Sequence, residues 1–278
     1  METDELILVT GGTGGLGRRV VQGLRSRGRA VRVLSRRPHE PADGIEYVIG
    51  DLARDEGVHA AVAGAAVVVH CAGVGKIKED TVQAQNLVRA AKRADVRHLA
   101  TVSVVGADRI PVRSALDRSM FAYFASQRAK EVVVAESGLP WTNLRATQFH
   151  DGFVLVMVRG MSKLPVVPLP AGFRFQPVDV DEVADNLVQL ALGAPAGQVP
   201  DIAGPKVYDA EYLFRSYLDA VGKRRPLLRM KMPGAAAAAI RAGANLNPER
   251  AVGKRTWEDF LATEIAPPPS VDSATRIR

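Results

Sequence analysis

A glycine-rich stretch near the start of this chain constrains its fold more than any other feature. It reads Thr-Gly-Gly-Thr-Gly-Gly-Leu-Gly over residues 10–17 and follows the continuous apolar run Leu6-Ile7-Leu8-Val9. Such a run is typical of a fully buried parallel strand. Apolar residues then recur at helical spacing from Leu16 to Leu24. Strand, glycine turn and helix, in this order, are the context in which these glycines indicate a dinucleotide-binding site.

Each glycine of the turn has its own physical role in this interpretation. Gly11 permits the tight turn, Gly14 lets backbone N–H groups approach a pyrophosphate, and Gly17 lets helix and strand pack closely. The helix N-terminus presents unpaired N–H groups and a partial positive charge to the phosphates. The alternative is an ordinary turn, but the strand and helix on either side favour a cofactor site. The predicted contacts are Gly11, Thr13, Gly14, Gly15, Leu16 and Gly17.

The end of the second predicted strand indicates which dinucleotide binds. Residues 30–34 form that strand, and Ser35-Arg36-Arg37-Pro38 follows it. An acidic residue at this point would accept a hydrogen bond from the ribose 2′-hydroxyl, whereas arginine would contact a 2′-phosphate. The acid is missing here, and a guanidinium binds phosphate through a planar fork of donors. We therefore predict NADP(H), held by Ser35, Arg36 and Arg37, in preference to an unoccupied surface pair of arginines.

Short apolar runs alternate with amphipathic helices as far as residue 146, including a helix over 53–63. This pattern predicts an α/β fold with a Rossmann-type, doubly wound parallel sheet. A smaller C-terminal α/β elaboration on the substrate side follows, in which the proline-rich segment 164–170 is predicted to be irregular. The predicted regions are an NADP-binding domain over 1–150, a substrate-side region over 151–263 and a loosely held tail over 264–278.

Composition restricts the classes of partner. With 278 residues and 47% hydrophobic content, the chain matches a soluble globular protein. We attribute its net charge of +7 mainly to arginines on helix surfaces. No basic stripe with interleaved aromatics indicates nucleic acid, and no apolar run is long enough to span a bilayer. A single cysteine, Cys71, and the lack of a secretion signal favour the cytoplasm. We expect a small-molecule substrate, no metal, and a monomer or homodimer.

Four segments carry a family resemblance: Thr10–Gly17, Ser137–Phe149, Phe175–Ala184 and Thr256–Leu261. They resemble atypical short-chain dehydrogenases of the NmrA-like, NAD(P)H-binding type found in actinobacteria, over nearly the whole chain. The resemblance implies NADP(H) in the crevice and a substrate under the C-terminal part. The further positions expected at the cofactor are Asp51 and Leu52 near the adenine, the small residues Cys71, Ala72 and Gly73, and Ala146, Thr147 and Phe149 after the sixth strand.

The resemblance also implies catalytic positions. Standard members of the superfamily use Tyr-x-x-x-Lys on the helix after the fifth strand, and a serine at the end of that strand. Ser103 and Lys130 match, which implies that Ser103 orients a substrate carbonyl and Lys130 bonds the nicotinamide ribose. Ser126 replaces the expected tyrosine, and Tyr123 lies seven residues before Lys130, about 10 Å along the helix axis. A serine hydroxyl is a poor proton donor, and we expect Ser126 to leave space where the tyrosine ring would stand. The alternative is that Lys130 is a solvated lysine on a helix surface and Ser126 a neutral surface residue.

Because position 126 is not a tyrosine, three mechanisms are open. Tyr123 or Lys130 moves the proton through a water, or a substrate such as a quinone needs only solvent protons, or the protein binds NADP(H) without turnover. The predicted function is therefore an NADP(H)-dependent oxidoreductase acting on a small carbonyl, enone or quinone. The alternative is a catalytically silent NADP(H)-binding redox sensor. His70 ends an apolar strand, so we expect a packed, neutral histidine there.

Overall fold

The computed structural model describes residues 5–40 and 44–265, so most of the tail predicted over 264–278 lies outside the described residues. The strands are β1 Ile7–Thr10, β2 Val31–Ser35, β3 Ile45–Ile49, β4 Val67–His70, β5 His98–Val104, β6 Trp141–Ala146, β7 Val167–Pro170, β8 Arg174–Phe175, β9 Gly197–Gln198, β10 Tyr208–Asp209 and β11 Leu227–Met230. The helices are α1 Gly15–Arg25, α2 Val58–Val62, α3 Ile77–Arg93, α4 Ala115–Ala135, α5 Leu155–Met161, α6 Val180–Leu192, α7 Ala210–Ala220, α8 Ala235–Arg241 and α9 Trp257–Glu264.

Within the described residues, seven parallel strands form one sheet in the order β3-β2-β1-β4-β5-β6-β9. All four residues of β1 and of β4 are buried, because helices cover both faces of the sheet. One apolar core joins the sheet to α1 and α6, and another joins it to α2, α3 and α4. The doubly wound Rossmann-type sheet is thus confirmed. Its strand order reverses between β1 and β4, where such sheets open a ligand crevice at the carboxyl ends.

The C-terminal part builds a second, smaller unit with its own apolar core. β7 and β11 pair in parallel, β8 and β10 pair antiparallel, and α5, α7, α8 and α9 pack around them. However, α6 and β9 return to the large sheet, although both follow residue 150. The division at residue 150 stays a prediction. None of the helices in the described part of the chain is both long and apolar enough to cross a bilayer.

Two local predictions are wrong. Residues 167–170, within the segment predicted to be irregular, form β7 because its prolines occupy alternate positions. The N–H groups of Val167 and Ala171 still donate to the carbonyl oxygens of Pro226 and Met230, at 3.0 and 2.9 Å. The helix predicted over 53–63 shortens to α2, because Asp55 and Gly57 adopt positive φ angles in the turn before it.

Candidate functional site

Two glycines of the turn between β1 and α1 are required by the packing of the protein itself. Gly11 has φ +71°, and a Cβ there would lie 2.6 Å from the backbone nitrogen of Ala72. A Cβ on Gly17 would lie 2.1 Å from the carbonyl oxygen of Gly11. The turn therefore touches both the start of α1 and the segment after β4 at backbone contact distance.

At Gly14 and Gly15, by contrast, packing against the rest of the protein does not require glycine. A Cβ on Gly14 would contact only the Gly11 carbonyl oxygen, at 3.2 Å, and one on Gly15 would have nothing within 4 Å. Thr13, Gly14 and Gly15 are exposed. No side chain caps the first N–H groups of α1, and its first turn holds no acid. This open cradle with a partial positive charge fits the pyrophosphate of a dinucleotide.

The end of β2 presents two cations beside this cradle. The backbone N–H of Arg37 donates to Ser35 Oγ at 3.2 Å, and the same oxygen lies 2.9 Å from His39 Nε2. His39 in turn stacks on Tyr47, with ring centroids 4.7 Å apart. Arg36 and Arg37 are exposed, and neither guanidinium contacts a carboxylate in residues 5–40 and 44–265. Both are therefore available to an anionic ligand.

The ends of β3 and β4 supply the remaining walls of the crevice. Asp51 Oδ1 accepts a hydrogen bond from the Ala53 N–H at 2.8 Å, and Leu52 is buried. After β4, the N–H of Cys71 donates to the carbonyl oxygen of Thr10 at 3.0 Å. Burial raises the pKa of the Cys71 thiol to about 12, so this cysteine is not a thiolate nucleophile at neutral pH.

His70 has a structural role. Its ring is buried, and Nδ1 lies 2.7 Å from the Thr10 hydroxyl of the neighbouring strand. Burial, with a smaller effect from the charge of Lys130, lowers the pKa of His70 to about 3. The imidazole is therefore neutral at physiological pH, in agreement with a packed histidine.

A buried carboxylate that sequence reasoning missed holds the loop after β4. Asp80, in the first turn of α3, accepts hydrogen bonds from the N–H groups of Val74 at 2.7 Å and Gly75 at 2.9 Å. It also accepts a hydrogen bond from the hydroxyl of Ser126 on α4. An acid in the first turn of a helix, directly after a glycine-rich loop, was the available signal.

Ser126 therefore does not leave open space in the site, as its position in place of the tyrosine had suggested. Its side chain is fully buried, donates a hydrogen bond to Asp80, and does not line the cavity at the carboxyl ends of β5 and β6. The expectation that Ser126 leaves space for a substrate or a water is wrong, because Asp80 and its loop occupy that side of α4. The serine instead joins α4 to the loop that begins with Cys71, Ala72 and Gly73.

Lys130 is buried below the site instead of projecting into solvent. It is 3% exposed, and its Nζ donates to the carbonyl oxygen of Val102 at 2.7 Å. Burial lowers the pKa of Lys130 to about 8, although the carboxylates of Asp80 and Glu131 act to raise it. Lys130 thereby fixes the end of β5 one residue before Ser103. Its contact with a nicotinamide ribose stays a prediction.

The next residue on α4 forms a buried ion pair. Arg145 of β6 donates to both carboxylate oxygens of Glu131, at 2.7 and 2.8 Å, and contacts Asp108 at 3.0 Å. Burial alone would raise the pKa of Glu131, but the hydrogen bonds from Arg145 lower it below its usual range. This pair fixes α4 against the strand that leads into Ala146 and Thr147.

A cavity of about 660 Å³ opens at the carboxyl ends of β5 and β6, under the C-terminal unit. Its walls are predominantly apolar. They include all five methionines after Met1 and six of the eight phenylalanines of the chain. The lining residues are Ser103, Val104, Met120, Phe121, Tyr123, Phe124, Ala146, Thr147, Gln148, Phe149, Phe153, Met157, Met161, Pro168, Leu169, Pro170, Phe173, Phe175, Met230, Met232, Ile240 and Asn245.

Two buried polar atoms in this apolar wall, Ser103 Oγ and Asn245 Oδ1, form no hydrogen bond of good geometry within the described residues, although Ser103 lies close enough to the Glu131 carboxylate to help lower the pKa of that group. Asn245 is 1% exposed, and its Nδ2 donates to the carbonyl oxygen of Arg174 at 2.8 Å, which fixes the orientation of the amide. By contrast, Gln148 is engaged at both ends of its side chain. A buried polar atom without a partner is costly, so both atoms are suited to meet polar groups of a ligand.

The cavity brings together some of the predicted site residues and not others. Ser103, Tyr123, Ala146, Thr147 and Phe149 line it, whereas Lys130 and Ser126 do not. Tyr123 is half-exposed at the cavity mouth. A Cβ on Gly75 would lie 3.4 Å from its ring, so the ring also borders the loop after β4. No local sequence pattern identifies Asn245 as a site residue, because only the tertiary fold brings it close to the residues that follow β6.

Comparisons with known proteins agree with this geometry. The model of the NAD(P)H-binding family matches residues 11–190, which is more than half of the chain. This chain belongs to the NAD(P)H-binding family. The match begins at the first glycine of the turn and ends within α6, so it includes the glycine cradle, both arginines and Ser103.

Several curated relatives are similar in sequence. A (4-alkanoyl-5-oxo-2,5-dihydrofuran-3-yl)methyl phosphate reductase of Streptomyces griseus is 31% identical over 210 residues, 74% of this chain and 70% of that protein. A ceramide reductase of Caulobacter vibrioides is 29% identical over 255 residues, 84% and 77% of the two chains. An uncharacterized protein of Mycobacterium tuberculosis is 28% identical over 232 residues, but this chain spans only 24% of its length.

Solved structures show the same fold at lower identity. An NADPH-dependent quinone oxidoreductase from Escherichia coli, complexed with NADPH, superposes with a TM-score of 0.76 at 18% identity, over 92% of this chain and 98% of that one. MoeE5, in complex with UDP-glucose and NAD, gives a TM-score of 0.70 at 19% identity, over 93% and 97% of the two chains. These neighbours hold either dinucleotide, so they do not distinguish NADP(H) from NAD(H).

Proposed function

We propose that this protein is an NADP(H)-dependent reductase that transfers hydride to a carbonyl, enone or quinone carried on a bulky apolar molecule. The observation that carries the proposal is the cavity at the carboxyl ends of β5 and β6, in which Ser103 Oγ lies in an apolar wall without a hydrogen bond of good geometry. The glycine cradle opens at the same edge of the sheet, since carboxyl ends of parallel strands share one edge. An oxidoreductase of the NAD(P)H-binding family needs this juxtaposition of cofactor cradle and substrate cavity.

The cofactor would be held by exposed residues whose side chains contact no carboxylate within residues 5–40 and 44–265. The exposed cradle of Thr13, Gly14 and Gly15 would hold the pyrophosphate. Arg36 and Arg37 would hold a 2′-phosphate, which favours NADP(H) over NAD(H). When bound, NADPH supplies a hydride to an electrophilic carbon.

Residues of the protein itself orient the substrate, deliver the proton and exclude water. Ser103 Oγ donates a hydrogen bond to the substrate oxygen, and Lys130 holds the end of β5 through Val102 so that this hydroxyl keeps its place. Tyr123, which lines the cavity and borders the loop after β4, would deliver the proton through its hydroxyl. Apolar walls exclude water from the reacting end and bind the substrate body.

The apolar lining supports a substrate larger than a simple ketone. The names of two relatives, an alkanoyl-bearing phosphate reductase and a ceramide reductase, describe substrates with apolar chains. Each buried methylene contributes about 0.8 kcal/mol to binding, which corresponds to roughly fourfold in affinity. Six further methylenes could therefore raise kcat/KM by far more than tenfold.

The test is NADPH oxidation with acceptors that differ in apolar size. The panel comprises 2-enals of four and ten carbons, 2-butanone, 2-decanone and menadione, each with an enzyme-free control. We expect the ten-carbon compounds to exceed their four-carbon partners at least tenfold in kcat/KM. We expect Ser103→Ala to lose most of the turnover while NADPH affinity is retained. Tight NADPH binding without turnover of any acceptor would reject the reductase and favour the redox sensor.

A further inference from the structure

Two segments around the cavity contain basic residues but no acidic ones. Residues 152–178 and 220–248 supply over half of the cavity lining. Together they contain nine Lys and Arg residues and no Asp or Glu. Because the whole chain has a net charge of +7, all the other residues taken together are slightly acidic.

These cations are not neutralised within the described part of the chain. Among the nine, only Arg229 contacts a carboxylate there, that of Glu211 at 2.9 Å. Arg159, Lys163 and Arg224 are exposed and pair with no acid in residues 5–40 and 44–265. The two segments, which we call the cationic roof, therefore present positive charge to an external partner.

The cationic roof also exposes large aliphatic side chains. Val156 on α5 is 68% exposed and Leu228 on β11 is 55% exposed. Leu164 and Val166 precede β7 and are exposed too, beside the chain entering β11, because Val167 N–H bonds the Pro226 carbonyl. Phe153 and Met230 are about half exposed and also line the cavity. The exposed apolar surface therefore continues into the cavity mouth.

We propose that the cationic roof docks onto the surface of a bilayer that contains anionic phospholipids. Exposed aliphatic side chains flanked by unpaired cations match the interfacial region of such a bilayer, where acyl chains lie below anionic head groups. A second copy of this chain fits poorly, because two cationic roofs repel each other. Nucleic acid fits less well, because exposed valines and leucines offer no stacking platform for bases. Docking in this orientation presents the cavity mouth to apolar molecules dissolved in the bilayer.

The test is co-sedimentation of the full chain with sucrose-loaded vesicles, of phosphatidylcholine alone or with 30 mol% phosphatidylglycerol. We expect binding to the anionic vesicles that weakens in 0.5 M NaCl. Each cation near the surface is worth about fivefold in partitioning, so K163Q/R224Q should bind roughly 25-fold more weakly. V156S/L228S should bind at least fivefold more weakly, because it removes exposed apolar area.

The matched control is K92Q/R93Q, which removes two exposed cations at the end of α3. This end precedes β5 and so lies at the edge of the sheet opposite the cavity. We expect the control to bind as wild type, and all variants to keep wild-type melting temperatures. Equal weakening by the control, or no sedimentation with anionic vesicles at 0.1 M NaCl, overturns the proposal. So does a dimer in sedimentation velocity that V156S/L228S abolishes, or binding of a 20-nucleotide RNA where vesicles fail.

Discussion

Two glycines three residues apart in the turn between β1 and α1 should respond differently to substitution by alanine. We expect Gly17→Ala to lower stability and Gly14→Ala to weaken cofactor binding. In Gly17→Ala, the new Cβ would lie 2.1 Å from the Gly11 carbonyl oxygen, whereas real Cβ contacts are not shorter than 3.0 Å. The start of α1 must then move by about 1 Å, and overpacking of this kind costs about 1–3 kcal/mol. In Gly14→Ala, the backbone at φ −80° and ψ 174° accepts any residue, and the nearest atom is 3.2 Å away.

The two variants therefore separate stability from cofactor binding. Gly17→Ala should lower the melting temperature by about 2–4 °C for each kcal/mol lost. Gly14→Ala should melt within about 2 °C of wild type, since removing glycine from the unfolded chain offsets a small contact cost. The Cβ of the alanine at position 14 would occupy the space that we assign to the pyrophosphate. The loss of one charge-assisted hydrogen bond, about 1.5–3 kcal/mol, predicts NADPH affinity reduced roughly ten- to a hundredfold.

The assay is thermal denaturation of each apo-protein, followed by fluorescence titration with NADPH. Gly28→Ala is a poor control because φ there is +72°, but Gly160→Ala on α5 meets nothing within 4 Å and has no role in the turn. It should match wild type in both measurements. The reasoning is refuted if Gly14→Ala, while folded, binds NADPH within threefold of wild type. It is also refuted if Gly17→Ala is as stable as the wild type.

Four other substitutions test the site. Arg36→Ala should weaken NADPH roughly ten- to a hundredfold and leave NADH unchanged in titration, because only NADPH carries a 2′-phosphate. Tyr123→Phe should reduce kcat on the order of a hundredfold, with NADPH affinity retained, if its hydroxyl delivers the proton. Ser126→Ala should destabilise the fold by about 1.5–3 kcal/mol in urea denaturation, because buried Asp80 loses a hydrogen bond. Lys130→Met should change the pH dependence of stability. The pKa of Lys130 is lowered to about 8 on folding, so the unfolded state binds more protons between about pH 8 and pH 10.5. Wild type should therefore gain up to about 3 kcal/mol relative to Lys130→Met as the pH rises through that range.

Controls for these substitutions come from elsewhere on the surface. Arg93→Ala removes an exposed arginine far from β2 and should leave both dinucleotide affinities unchanged. Ser119→Ala removes an exposed hydroxyl that bonds only its own helix, at the Leu116 carbonyl oxygen, and should cost less than about 0.5 kcal/mol. Equal NADPH and NADH affinities in wild type, or equal stability of Ser126→Ala and wild type, would contradict the corresponding prediction. A pH profile of Lys130→Met parallel to that of wild type would do the same.

The parts of the fold that were predictable are those whose signals are local in the sequence. The central strands β1, β2 and β4 are short, mainly apolar runs, and the covering helices α1, α3 and α6 each show an apolar period within their own residues. Right-handed crossovers between such strands then place helices on the faces of a parallel sheet. The strand β7 escaped prediction because prolines usually exclude a strand, and only its partner β11 shows that the alternate N–H groups are paired.

The candidate site also contains residues that local sequence patterns predict and residues that they do not. The glycine cradle and the two arginines occupy a continuous motif, so spacing alone locates them. The hydrogen bond from Ser126 to Asp80 joins residues 46 positions apart, and the one from Gln148 to the Asn245 backbone spans 97. No periodicity carries such information. Ser126 was therefore misinterpreted, and Asn245 was not found.

The methionine-rich wall of the cavity has a consequence for selectivity. Five thioether side chains line one space, and each has three rotatable bonds and a polarisable sulfur that adapts to irregular surfaces. The part of the wall built from methionine adapts to the outline of the molecule that fills it, so this part rejects fewer molecules for their shape than branched, rigid side chains would. Discrimination between acceptors of equal volume is then left to the two fixed polar atoms, Ser103 Oγ and Asn245 Oδ1. This protein should accept a family of related molecules and reject those whose polar groups are in the wrong place.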